Sequence, residues 1–145
     1  RWTLHNRKLR DVFDRDCTDW VSFTGTVDCQ PIFSGTGNIE FASNDAAVPF
    51  EGLTVRLFEP DSGIWRLYWA STRQPGELGL LGAGRFDPEA GTASFFSDDQ
   101  VNGRTIGVRV VWSGIEAGTP HWEQSFSYDE GKTWETNWVI DSTRD

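Results

Sequence analysis

Two sets of residues in the last third of this 145-residue sequence carry groups capable of chemistry. The first is Gln124 and Thr136, polar residues lying in period-two phase with Trp112, Trp122 and Trp138. A few polar groups among aromatic ones are how a cavity orients a small molecule. The competing reading is that the amide bonds Thr136, an indole N–H or a trapped water and simply staples the core. The second set is Arg109, Glu123 and Glu135, with His121 near its end and Asn137 in the same phase. Carboxylates, an imidazole and a guanidinium can transfer protons and polarise an oxygen if they are desolvated. Left in water, the same residues form a cross-strand charge ladder worth little, or a symmetric dimer contact.

Composition narrows the field. A formal net charge of −9 and a sequence pI near 4.6 repel a phosphate backbone and an anionic bilayer surface, so neither nucleic acid nor membrane is an expected partner. No apolar run approaches the ~20 residues of a membrane helix. Eight Trp and ten Phe make the chain far too apolar for a disordered one. Cys17 and Cys29 are too few for a disulfide framework; two free thiols are expected, with a single bridge between them as the alternative. With His5 and His121 the only histidines, no metal cluster is expected, and no cofactor motif is present. The chain starts at Arg1 and lacks methionine, so the native start is expected upstream; location stays open, with a soluble cytoplasmic protein favoured.

The elements that must position these residues are strands. Turn signals recur about every ten residues between short alternating segments, and no helix of ordinary length is expected. Strands are expected at Trp2–Leu9, Trp20–Phe33, Asn38–Ala42, Leu53–Glu59, Trp65–Ser71, Gly82–Asp87, Thr92–Ser97, Arg104–Ser113, His121–Tyr128 and Thr133–Ser142. A meander of about 8–10 strands hides its edges best by closing into a barrel, so one all-β antiparallel barrel domain over residues 1–145 is expected, with a sandwich as the runner-up. One face would collect Trp112, Trp122, Gln124, Trp134, Thr136 and Trp138. In the hairpin over Pro60–Gly63, the same reading groups Leu53, Val55 and Leu57 with Trp65, Leu67 and Trp69. Periodicity separates two faces; it does not say which is the interior.

Trp2 in the first strand and Arg144 after the last resemble the sealing pair of calycin barrels, the lipocalins, fatty-acid-binding proteins and their relatives. In that family an Arg or Lys from the last strand covers a first-strand Trp. The stretches Arg56–Pro60, Trp122–Ser127 and Gly131–Trp138 also resemble an uncharacterised bacterial family of calycin-like domains. The resemblance implies a calycin-like barrel and brings no catalytic motif.

The leading expectation is therefore a barrel binding a small hydrophobic or aromatic molecule. Trp65, Trp69, Trp112, Trp122 and Trp138 would be walls, and Gln124 and Thr136 orienting groups. The alternatives are a cofactor-free isomerase, cyclase or hydrolase using Glu123, Glu135, His121 and Arg109, and a dimerisation module that binds no ligand. Arg7, Lys8 and Arg10 form a small basic cluster, suited to an anionic headgroup or to pairing with Asp11 and Asp14.

Overall fold

The computed structural model describes residues Arg1–Asp145 as ten antiparallel strands closed into an up-and-down barrel. The strands are β1 (Trp2–Leu9), β2 (Trp20–Ile32), β3 (Gly37–Asn44), β4 (Phe50–Glu59), β5 (Ile64–Ser71), β6 (Gly79–Asp87), β7 (Thr92–Val101), β8 (Arg104–Ser113), β9 (His121–Ser127) and β10 (Glu135–Arg144). Each pairs with its sequence neighbour, and β1 pairs with β10 to close the ring. The sole helical element is a 3-10 turn at Phe33–Gly35.

The turn between β7 and β8 carries the residues that left-handed backbone favours. Asn102 and Gly103 join β7 to β8 with φ of 51° and 74°. Between β9 and β10, the Asp129 carboxylate accepts from the Ser127 hydroxyl and from both the backbone N–H and the hydroxyl of Thr133. These bonds, those from Thr133 first, hold its pKa down at about 2.

The Trp2–Arg144 pair forms. The two are register partners across the closing seam, and the guanidinium lies 5.3 Å from the indole centroid. At the other end of the barrel, the loop between β1 and β2 folds over the opening. Phe13 stacks on Phe126 at 5.7 Å, while Arg15 makes a two-pronged pair with Glu135 and lies over the Tyr128 ring.

Two local features correct the sequence reading of the faces. The first is a matter of turn length. The four-residue connection after β4 pairs Glu59 with Ile64, so even-numbered β4 residues sit beside odd-numbered β5 residues. Thr54, Arg56 and Phe58 therefore share a face with Trp69, Leu67 and Trp65, while Leu53, Val55 and Leu57 turn outward. The bulky β5 row claims the interior, and the apolar row of β4 is left outside. The second is a β-bulge in β10 at Asn137: Thr136 pairs with Ser125, but the next paired residue, Trp138, faces Gln124. The extra residue reverses the phase, and Trp134, just before β10, lies against the outside of the barrel over Gly107.

Packing between β6 and β7 leaves no room for a side chain at Gly84, where a methyl group would run into the backbone of Ser94. Gly84→Ala is expected to cost about 2–3 kcal/mol, the upper range for overpacking against a backbone that cannot give way. Urea unfolding of both proteins, at unchanged m-value, measures it.

Candidate functional site

The barrel holds a cavity of about 1300 Å³ that opens to solvent. Its lining divides by strand. Trp65 and Trp69 of β5, Trp112 of β8, Trp122 of β9 and Trp138 of β10 line it, with Leu67, Phe95 and Ile140. All five tryptophans expected as walls thus face the lumen. Trp122 and Trp138 meet edge to face at 5.4 Å, an arrangement favoured by the ring quadrupoles. The indole N–H of Trp138 donates to the Asn6 carboxamide oxygen at 2.9 Å, which fixes that ring in place.

Strands β2, β3 and β4 add polar groups to the lining. Cys29 of β2, Asn38 and Glu40 of β3 and Thr54 and Arg56 of β4 all face the same space. Arg56 donates to Glu40 at 2.8 Å and to the Asn38 side-chain oxygen at 2.9 Å, and the Thr54 hydroxyl reaches Glu40 at 3.5 Å. Both charged side chains are largely shielded, at 14% and 17% exposure. An ion pair so shielded is costly to break from one side, because the remaining charge stays behind without its partner. The guanidinium also lies 5.4 Å from the Trp112 centroid, so this cluster touches the aromatic wall. Cys29 is the register partner of Glu40. Partial burial raises its thiol pKa, with Arg56 pulling it back and the Glu40 charge adding to the rise.

Of the two polar residues expected to orient a ligand, Gln124 lines the cavity and donates to Asn137 at 2.9 Å. Thr136 does not: it is exposed and hydrogen-bonds Ser125 at 3.1 Å, having been turned out by the bulge. Asn137 takes its place, buried to 3% exposure.

The four acid–base candidates lie away from the lumen. Arg109 stacks on Trp134 at 4.6 Å on the outer face, and Glu135 pairs with Arg15. His121 stands between Asp141, 2.6 Å from Nδ1, and Glu123, 3.0 Å from Nε2. None of the four lines the cavity, so proton transfer by these groups has no enclosed substrate space to act in. Cys17, in the capping loop, and Cys29 are not bonded to each other.

The residues that sequence reasoning missed are Glu40, Arg56, Asn38 and Thr54, while Lys8, expected in a basic cluster with Arg7 and Arg10, lines the cavity. Turn parity was the available signal for the β4 pair: counting from Glu59 and Ile64 puts Arg56 on the tryptophan face. Compared with protein-family models and with curated proteins, the chain matches none.

The His121 arrangement has a pH consequence. Hydrogen bonds to Asp141 first, and then to Glu123, raise its pKa above 6.5. The folded state thus holds the proton more tightly than the unfolded one. The resulting stabilisation is complete below the unfolded value and disappears as pH rises through the raised folded value. His121→Gln is expected to lower the melting temperature relative to the parent protein at roughly pH 5.5 and to have little effect at roughly pH 9. A gap unchanged across that range contradicts this assignment.

Proposed function

We propose that this protein is a calycin-type binding module whose lumen takes a small amphipathic molecule. Such a ligand has a flat aromatic or aliphatic body for the tryptophan wall and a hydrogen-bonding group for the polar wall. The single observation that carries the reading is the mixed lining of the cavity: about 1300 Å³, with five indoles and the Glu40–Arg56 pair facing the same space. The chemistry is the usual one of small-molecule sites, an apolar surface for affinity and a few fixed polar groups for orientation. Arg56 and Glu40 neutralise each other, so the polar wall suits an uncharged donor–acceptor group such as a hydroxyl, amide or carbonyl better than a full charge.

The test is titration with N-phenyl-1-naphthylamine, followed by quenching of tryptophan fluorescence, on the parent protein and on Ala42→Phe and Ala93→Phe, which place a ring in the lumen. Saturable quenching is expected in the parent, with affinity reduced about tenfold or more in variants that remain folded by circular dichroism. Absence of quenching in the parent, or equal affinity in the filled variants, sinks the reading.

The outward turn of the β4 row favours a second, compatible reading: self-association through the outer face of β3–β5. Ile39, Phe41, Leu53, Val55 and Tyr68 are neighbours there, and Phe41 is 52% exposed. A contiguous apolar patch on a sheet face is the kind of surface a symmetric contact covers. Sedimentation velocity of the parent protein and of Phe41→Lys decides it. A concentration-dependent dimer abolished by the lysine supports this reading, and a parent monomer at every concentration removes it.

A further inference from the structure

We propose that Lys8 is a covalent anchor, its amine condensing reversibly with the aldehyde or ketone group of an apolar molecule seated in the lumen. The inference rests on the lumen-binding reading and names a class of ligand for it.

The first observation is compositional. The sequence has eleven arginines and only two lysines. Arginine serves for ion pairs but cannot lose its proton, so only lysine offers a nucleophilic side-chain amine. Lys132 is exposed in the turn before β10. Lys8 is on β1, pointing into the cavity.

The second observation is the setting of that amine. Nζ lies 4.4 Å from the Trp138 ring centroid, over the indole that Asn6 holds in place. Closing the barrel makes Lys8 and Trp138 register partners, so the contact is part of the seam itself. No ion pair of the molecule includes Lys8, in a protein whose net charge is −9. The charged group that bears on it is another cation, Arg73, whose guanidinium is laid over Phe50 at 3.7 Å. Burial first, and then Arg73, lower the lysine pKa. Desolvation beside a second cation is the recognised way to make a lysine amine nucleophilic near neutral pH.

The reaction balances without an outside oxidant or reductant. The ammonium gives one proton to solvent. The freed lone pair attacks the carbonyl carbon, the C=O π pair moves to oxygen, and a proton passes from nitrogen to that oxygen to give a neutral carbinolamine. Its hydroxyl takes a proton back from solvent and leaves as water as the nitrogen lone pair forms the C=N bond, giving a protonated imine, and hydrolysis reverses the sequence. A protonated imine would keep its charge over the Trp138 face, where the ring quadrupole favours it.

The probe pair is 2-naphthaldehyde and 2-naphthalenemethanol, which share an aromatic body and differ in the carbonyl. The full chain is incubated with the aldehyde and sodium cyanoborohydride near neutral pH, then mapped by peptide mass spectrometry. The expected result is one naphthylmethyl group on Lys8, exceeding any on Lys132 by about tenfold or more. Lys8→Arg should abolish the adduct in a protein that circular dichroism shows to be folded. Excess alcohol should protect Lys8 in the parent protein. Equal labelling of the two lysines, or an adduct elsewhere in preference to Lys8, overturns the proposal. So does an unlabelled Lys8 in a protein that binds the alcohol. If the alcohol does not bind either, it is the lumen reading that fails.

Discussion

The pairing of the first strand with the last is the interaction on which the rest depends. Nine of the ten strand seams join neighbours in sequence and could form in an open, curved sheet. The tenth, from Trp2 opposite Arg144 to Lys8 opposite Trp138, removes both free edges and turns one face into an interior. It also does local work at each end. Near the termini it places a guanidinium on an indole. At the other end it sets an amine over a second indole, which Asn6 of the same seam orients by a hydrogen bond. Because this contact spans nearly the whole chain, its loop-closure entropy is the largest of any seam, and it is expected to form late in folding.

Once the ring is closed, the interior has to reconcile two unlike walls. The indole side gains from losing water. The Glu40–Arg56 side loses hydration and recovers it through the pair itself, with Asn38 and Thr54 taking up further hydrogen-bonding capacity. A lumen packed solely with hydrocarbon would gain more stability from burial. The register set after Glu59 turns the apolar row of β4 outward and leaves the ion pair beside the cavity.

Much of the fold was legible from the chain. Trp2–Leu9 and Arg104–Ser113 have the expected bounds, and turn residues marked most of the other strands. The labelling of faces was harder, for reasons particular to two sites. Polarity grouped Leu53, Val55 and Leu57 with the tryptophans of β5, but the length of the turn after Glu59 fixed the opposite parity, and the tryptophans took the interior without them. In β10 the alternation was read straight through Asn137, whereas the bulge there sends Thr136 out and draws Asn137 in. Neither event has a strong local signature, since both depend on register between strands. Lys8 was legible as a cation; its isolation from carboxylates follows from the closed seam and could not be read from Asp11 and Asp14 alone.

The meeting of the start of β1 with the end of β10 has a topological consequence. The Asp145 backbone N–H donates to the Arg1 carbonyl at 3.3 Å, and the Thr3 hydroxyl donates to the Asp145 carboxylate at 2.7 Å. With every strand bonded to its neighbours in order, the barrel is a ring that the chain happens to cut between β10 and β1. Joining that cut with a short linker and reopening the chain at an exposed turn, such as Asn102–Gly103, would give a circular permutant that keeps all ten seams. In such a permutant Lys8 and Trp138 would become near neighbours along the chain, and the present closing seam would turn into an ordinary hairpin.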